Sequence, residues 1–227
     1  MKTLNLALGL AAGLAVDASA CASAADVTPL TYDWTGFYLG AQAGYGWGDN
    51  TFTYVGGVGP PQENVDVSGL VGGVTLGANR QFGNIVLGLE GDISYSGISG
   101  KTLSATRPCI AEGCTEDVDW FGTGRVRLGY AMDQILPFVG GGLAIGNIGG
   151  SADIGACDPR GTECKFDDVK LGWTLGAGLE TALGENWTAK AEYLYVNLGR
   201  SSFTNPVDVK SGDVDFSLVR LGVNRRF

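Results

Sequence analysis

Eight charged residues form the part of this sequence whose types and spacing could do chemistry: Glu90, Asp92, Arg125, Arg127, Glu180, Lys190, Glu192 and Arg220. Glu90 and Asp92 are two residues apart, so on a β-strand both carboxyl groups point to one side, where they could share acid and base roles. Arg125 and Arg127 have the same spacing and offer each carboxylate a partner of opposite charge. Because buried charges are tolerated when they are paired, we favour a structural ion network over a catalytic pair.

The composition excludes several other kinds of site. The chain has 227 residues and no histidine, which removes Ser-His-Asp and Cys-His catalysis, imidazole metal sites and histidine-ligated haem. Its formal net charge of -9 argues against nucleic-acid binding, which needs basic surfaces to neutralise phosphates. The glycine run 140–142 lacks the lysine and the following helix that a phosphate-binding loop needs. We therefore predict that the protein is not an enzyme and has no cofactor or metal site.

The first 24 residues have the pattern of a secretory signal peptide. Lys2 precedes an uncharged run of 13 residues, 4–16, which is too short to span a bilayer, and small residues follow it. We predict cleavage after Ala24, which leaves residues 25–227 as one domain. Cys21 offers an alternative, since the residues before it loosely resemble a lipoprotein box.

Four cysteines remain after such a cleavage: Cys109, Cys114, Cys157 and Cys164. In an exported chain they predict disulfides, with three possible pairings. We favour the two local pairs, 109 with 114 and 157 with 164, because each pair lies within one polar segment. A zinc site is the rival interpretation, although neither pair has CxxC spacing and histidine is absent.

Alternation of apolar and polar or small side chains predicts the elements that position the charged residues. From Phe37 to Trp47, every second residue is apolar, and Tyr38, Gln42 and glycines lie between them. Comparable segments give eight strands, at about 37–47, 65–82, 85–95, 120–130, 136–147, 170–180, 187–195 and 214–227. The chain contains 38 glycines, and each interior glycine costs a helix roughly 1 kcal/mol relative to alanine, so helices are disfavoured.

The connections between these strands alternate in length. Long ones are predicted at 48–64, 97–117, 148–168 and 200–213, and short ones near 82–84, 131–135 and 183–186. This alternation is typical of outer-membrane barrels, with long loops outside and short turns in the periplasm. We predict an all-β, eight-stranded antiparallel up-and-down transmembrane β-barrel with both termini periplasmic.

Aromatic residues on the apolar face indicate that this face meets lipid. The aromatics at the two ends of the strands would form two girdles around an apolar band. The girdle residues are Tyr45, Trp47, Tyr95, Trp120, Trp173, Tyr193 and Tyr195 toward the long loops, and Phe37, Tyr130, Trp187 and Phe227 toward the short turns. A soluble carrier barrel, with its apolar face inside, is the alternative.

The polar face would then line the lumen. We expect Asp92 opposite Arg125 and Glu90 opposite Arg127, and Glu192 opposite Arg220. A lumen plugged by this network is favoured over a selective pore, because eight strands enclose little more than their own side chains. Lumen-facing glycines would let the barrel close around the large charged side chains.

The four long loops with their edges carry the whole net charge of -9. Their acidity suggests a bridge through divalent cations to lipopolysaccharide at the cell surface. We expect outer-membrane lipid, lipopolysaccharide and the assembly machinery as partners, and no nucleic acid.

Several motifs resemble a known family. Residues 34–40 (WTGFYLG), 125–130 (RVRLGY), 172–179, 190–195 (KAEYLY) and the final Phe227 are similar to the porin-like outer membrane β-barrel family of Gram-negative bacteria. That family includes the outer membrane immunogenic protein group and is akin to the transmembrane domain of outer membrane protein A. The resemblance covers essentially the whole mature chain. It implies insertion by the outer-membrane assembly machinery, which recognises a last strand ending in an aromatic residue.

Members of this family are described as surface antigens, porin-like proteins, envelope-stabilising proteins and, in some relatives, haemin binders or adhesins. This chain departs from the pattern at Arg225, where relatives often carry an aromatic residue, and its lack of histidine removes a histidine-ligated haemin site. We predict a non-catalytic barrel with a structural, surface-exposed and antigen-like role. The alternatives are a narrow channel for small solutes and an adhesin or ligand binder that acts through the long loops.

Overall fold

The structure, a computed structural model, is a closed eight-stranded antiparallel barrel, as the alternation predicts. It describes residues 32–54, 62–102, 114–152, 164–203 and 209–227. The strands are β1 (Gly36–Tyr54), β2 (Gln62–Phe82), β3 (Ile85–Thr102), β4 (Cys114–Tyr130), β5 (Ile135–Ala152), β6 (Cys164–Ala182), β7 (Trp187–Phe203) and β8 (Val209–Arg226). Each strand pairs with the next in sequence, and β1 also pairs with β8, which closes the barrel. No helix within the described ranges is long and apolar enough to cross a membrane.

The two faces of the barrel follow the predicted alternation. In β1, Phe37, Leu39 and Tyr45 are exposed on the outside, whereas Tyr38 and Gln42 are buried inside. The same division holds in β3, β4, β6, β7 and β8. Successive side chains of a strand point to opposite faces, so a closed barrel places one set against lipid and the other in the lumen.

The strands are longer than the sequence predicts at one end. The predicted loops 48–64, 97–117, 148–168 and 200–213 are reduced to connections at 55–61, 103–113, 153–163 and 204–208. These boundaries were wrong because they were placed where apolar alternation fades, whereas the hydrogen-bonded ladder needs only backbone groups and continues past that point. We call the end with these four connections the loop end, and the end with the short connections at 83–84, 131–134 and 183–186 the turn end.

Inward-facing glycines make room for large lumen side chains. Tyr38 lies directly opposite Gly77 on β2, and a Cβ at that glycine would meet the Tyr38 ring. Likewise, a Cβ at Gly40 would meet the side chain of Asn224 from β8. The glycine therefore allows a narrow barrel to hold bulky side chains.

Two predictions concern residues outside the described part of the chain. The predicted signal peptide, 1–24, lies entirely before the first described residue, and Cys109 and Cys157 lie in the connections 103–113 and 153–163. Those assignments stay predictions.

Candidate functional site

All eight charged residues predicted for the lumen are buried there, and they contact one another. Glu90 on β3 is the centre of the cluster. It accepts hydrogen bonds from Tyr38 Oη at 2.6 Å, from Arg127 Nη1 at 3.0 Å and from Lys190 Nζ at 2.9 Å, and Arg125 Nη2 also contacts it. Its partners come from β1, β4 and β7, so one carboxylate connects opposite sides of the barrel.

A second group of contacts joins β3, β4, β7 and β8. Arg220 donates from Nη1 and Nη2 to the two oxygens of Asp92, both at 3.1 Å, and from Nε to Glu192 at 2.8 Å. Arg125 Nη1 donates to Glu192 Oε1 at 2.5 Å. Bidentate arginine–carboxylate pairs of this kind are among the strong and geometrically specific hydrogen bonds.

Glu180 on β6 completes the cluster on the remaining side. It accepts from Arg127 Nη2 at 2.7 Å, from Thr188 Oγ1 at 2.6 Å and from Asn224 Nδ2 at 2.9 Å. Arg127 thereby joins Glu180 to Glu90, so all eight charged residues form one continuous network.

The network is electrically balanced. It contains four carboxylates and four cationic side chains, and each of the eight residues is less than 10 % exposed. Removing an ion from water costs several kcal/mol, which good geometry and a full set of hydrogen bonds can offset. A balanced set of buried ions with several partners for each carboxylate is suited to holding the barrel walls together.

One of the two predicted registers is wrong. The structure places Glu90 opposite Arg125 and Arg127 opposite Gly88, two residues away from the predicted pairing of β3 with β4. Asp92 lies opposite Thr123, whose hydroxyl donates to it at 2.5 Å. Both registers set carboxylates near guanidinium groups, so charge pairing alone did not distinguish them. The predicted register of β7 and β8, with Glu192 opposite Arg220, is confirmed.

An apolar layer fills the lumen between the charge network and the loop end, which the sequence analysis missed. Phe121 and Phe216 are fully buried there, with ring centroids 5.4 Å apart. The other members are Val67, Val71, Ile98, Val118, Ala144, Ile148, Leu194, Val196, Leu198, Val214 and Leu218. The run 193–198 is apolar on both faces apart from Asn197, and such a run is typical of a strand that is buried on both sides.

The residues before β1 fold across the turn end of the lumen. The indole N–H of Trp34 donates to the Asp133 carbonyl at 3.1 Å, and its backbone N–H donates to Gln81 Oε1 at 2.8 Å. Arg226 of the last strand lies over the rings of Tyr32 and Trp34, 4.7 and 6.0 Å from their centroids. Trp34 is completely buried and packs with Val86, Ala131 and Leu136. We call residues 32–35 the cap.

The cap is stabilised by a local turn. The backbone N–H of Thr35 donates to Asp33 Oδ1 at 2.9 Å. This hydrogen bond, with a second one from the Thr35 side chain, lowers the pKa of Asp33 below its ordinary value. The ionised carboxylate is therefore the form that the folded cap favours.

The predicted girdle residues lie on the outer face at both ends of the strands. All are exposed or half-exposed, and two tilted ring pairs form at the loop end. Trp173 on β6 and Tyr195 on β7 have ring centroids 5.3 Å apart, and Trp47 on β1 and Tyr193 on β7, on either side of β8, have centroids 6.4 Å apart. Aromatic side chains in this position suit a membrane–water interface, because one part of each ring is apolar and another is polar.

The backbone register constrains the cysteines. Cys114 on β4 and Cys164 on β6 both lie opposite Ala152 of β5. Two strand spacings separate their Cα atoms by about 9–10 Å, which is beyond the roughly 7 Å limit for a disulfide. The predicted local pairs each include a residue outside the described part of the chain and stay predictions. No group of three or more cysteine, aspartate or glutamate side chains in the described ranges is arranged to hold a metal ion.

Comparison with known proteins agrees with this architecture. The model of the outer membrane protein beta-barrel domain matches residues 8–227, nearly the whole chain. The chain belongs to this family. Like other barrels of the outer membrane, it carries lipid-facing apolar strands and a closed hydrogen-bonded sheet.

Relatives of this barrel have been found in several bacteria. A 31 kDa outer-membrane immunogenic protein of Brucella melitensis is 38% identical over 232 residues, covering 96% of this chain and 93% of the relative. A 22 kDa outer membrane protein of Rhizobium leguminosarum is 31% identical over 198 residues, covering 86% of this chain and 78% of the relative. The crystal structure of the outer membrane protein OprG from Pseudomonas aeruginosa has a TM-score of 0.54 at 14% identity, covering 85% and 96% of the two chains, and shares the fold.

Proposed function

We propose that this outer membrane barrel is a non-conducting structural protein that presents its long connections at the cell surface. The observation that carries the proposal is the occupation of the lumen by three successive layers. These are the cap at the turn end, the balanced charge network in the middle and the apolar layer toward the loop end.

Each layer opposes the passage of a solute for a different physical reason. An ion that entered the charge network would have to separate buried pairs, and an uncompensated buried charge costs about 3–5 kcal/mol. The apolar layer offers no hydrogen-bond partners to water or ions. At the turn end, Trp34 is completely buried within the cap, so its indole occupies the space through which a solute would have to pass.

The same contacts argue against catalysis in the lumen. Each of the four carboxylates is bound by at least one guanidinium group, and Glu90 has four side-chain partners. A general base must be free to accept a proton from a substrate that lies within hydrogen-bond reach. These carboxylates are instead engaged in structural contacts, which supports a role without catalysis.

We also propose an orientation and a route of export. The turn end faces the periplasm, the loop end faces the exterior, and residues 1–24 are removed as a signal peptide. Short turns inside and longer connections outside are the general arrangement of such barrels. Sequencing the N-terminus of the mature protein tests the cleavage site, and protease treatment of intact cells tests the exposure of 103–113 and 153–163.

The surface role is proposed from the relatives as well. The similar Brucella proteins are named outer-membrane immunogenic proteins. We propose an antigen-like role for the surface connections here, with lipopolysaccharide bridged through divalent cations as a partner of the acidic loops and the assembly machinery as the route of insertion. Equal stability of the barrel with and without calcium or magnesium would count against the bridging role.

Planar-bilayer recording tests the closed lumen. Purified, refolded protein should insert without resolved conductance steps, and a porin added afterwards to the same bilayer should give steps, which shows that the membrane could report them. Trp34→Ala should also remain silent, because two layers still close the lumen. Resolved steps from the wild-type barrel would establish the channel alternative instead.

A further inference from the structure

The outer face of the barrel carries two charged side chains where lipid is expected. From the loop-end girdle to the turn end, Arg80 and Arg225 are the only charged residues at outward strand positions in the described ranges. Each guanidinium lies over the aromatic ring two residues further along the chain. The distance from Cζ to the ring centroid is 5.7 Å for Arg80 and Phe82 and 5.5 Å for Arg225 and Phe227. Neither arginine forms an ion pair with a described residue.

A groove in the apolar surface crosses β8 beside Arg225, with its lining drawn from β1, β8, β7, β6 and β5. Its volume is about 720 Å³, and its outward lining residues are Ala41, Ala43, Ile135, Leu179, Thr181, Ala189, Ala191, Leu221 and Val223. Val223 lies opposite both Ala41 and Ala189, so small side chains flank β8 on both sides and leave the surface concave. Arg225 is the next outward residue after Val223 toward the turn end, and it lies opposite Trp187.

A second groove repeats this arrangement on the far side of β1. Its volume is about 610 Å³, and Ala78 on β2 and Gly124 on β4 are among its outward lining residues. Arg80 is the next outward residue after Ala78 toward the turn end. Each arginine thus lies two residues from a residue that lines an apolar groove, Val223 for Arg225 and Ala78 for Arg80, and on the turn-end side of it.

We propose that the Arg225 groove binds one phospholipid, with an acyl chain in the groove and the headgroup phosphate on the Arg225 guanidinium. The Arg80 groove is a second site of the same kind. A guanidinium group binds phosphate through two parallel hydrogen bonds, and Trp187 beside it suits the headgroup level of a membrane. In the orientation proposed above the lipid belongs to the inner leaflet, but the binding itself does not depend on that orientation.

Charge favours a lipid over a second copy of the chain as the occupant. A two-fold contact through this groove would bring the same surface of both barrels together, with Arg225 near its own copy. Two guanidinium groups facing each other in an apolar contact would repel, whereas a phosphodiester supplies the charge that each of them lacks.

Native mass spectrometry of the full chain in dodecyl maltoside, whose headgroup is an uncharged sugar, tests the site. The probe is palmitoyl-oleoyl phosphatidylglycerol, titrated onto delipidated protein. We expect the wild type to bind two lipids and Arg225→Gln to bind one of them about tenfold more weakly, so that the doubly bound species falls while the singly bound species remains, since a hydrogen bond to a charged group is lost. Lys101→Gln, which removes an exposed charge at the loop end, is the matched control and should bind as the wild type does.

A second pair of variants tests the groove independently of the arginine. Ala191→Leu should fill the groove and reduce binding several-fold, whereas Ala177→Leu adds the same side chain at an outward position of β6 outside the groove. Heat-modifiable gel mobility verifies that each variant folds. If Arg225→Gln does not fold, the binding measured for Ala191→Leu tests the proposal instead. Wild-type binding by Ala191→Leu, an equal loss in the controls, or a dimer without bound lipid would overturn the proposal.

Discussion

Replacing Gly77 with alanine is expected to destabilise the barrel, whereas the same replacement at Gly124 is expected to be harmless. Gly77 faces the lumen opposite Tyr38, and the added Cβ would meet the Tyr38 ring at its hydroxyl-bearing edge. Gly124 faces outward, and an added Cβ there would have no atom within 4 Å. The two variants make the same chemical change on the two faces of one barrel.

The loss of unfolding free energy in Gly77→Ala depends on how freely the Tyr38 side chain can move. Its hydroxyl donates to Glu90 at 2.6 Å and accepts from Arg127 at 2.6 Å, and the side chain is 2% exposed. If the ring stays in place, the site is overpacked, which costs about 1–3 kcal/mol. If the ring moves, it loses hydrogen bonds to charged groups, each worth about 1.5–3 kcal/mol. We expect a loss of about 2–4 kcal/mol in the free energy of unfolding for Gly77→Ala, against a gain of up to ~1 kcal/mol for Gly124→Ala.

Urea unfolding of the refolded protein in vesicles, monitored by tryptophan fluorescence, would measure both values. Gly77→Ala should also be examined in a Tyr38→Ala background, where the cost of the added methyl group should disappear because no ring remains to be displaced. This double-mutant cycle isolates the steric coupling between the two residues. The reasoning is refuted if Gly77→Ala is as stable as Gly124→Ala, or if its cost is unchanged in the Tyr38→Ala background.

Three further predictions concern the network and the cap. Arg220→Gln removes the cation that Asp92 and Glu192 share and leaves four carboxylates with three cations, so it should cost about 3–5 kcal/mol of unfolding free energy. Adding Glu192→Gln should cost less than the sum of the single changes, because charge balance is restored, and additive losses would contradict this. Trp34→Ala should lower the unfolding free energy by about 3–5 kcal/mol, measured by the same urea assay, and a change below ~1 kcal/mol would show that the cap does not hold the turn end. Since the pKa of Asp33 is lowered in the folded protein, its contribution is present at neutral pH and is lost as the pH falls through that value. The stability difference between wild type and Asp33→Asn should therefore shrink on acidification, and a constant difference from pH 7 to pH 3 would argue against the Thr35 hydrogen bonds as its source.

The membership of the candidate site and its pairing of Glu192 with Arg220 were predicted, whereas the register of β3 with β4 was not. Alternation places Glu90, Asp92, Arg125 and Arg127 on one face, since the two-residue period follows from strand geometry alone. Their pairing was predicted two residues out of register, because arginine side chains are long enough to reach carboxylates in either alignment. Contacts between distant strands, such as Arg220 with Asp92, need the closed barrel and have no local signal in the chain.

The sequence by itself determined that this protein is an eight-stranded barrel, which face meets lipid and which charged residues lie inside. Those properties depend on local periodicity and on the free energy of placing apolar side chains against lipid. Only the tertiary structure decided the register of β3 with β4, the apolar layer around Phe121 and the cap formed by Trp34. Register reflects the sum of contacts along whole strands, and the lumen layers exist only when residues from all sides of the closed barrel meet at one height.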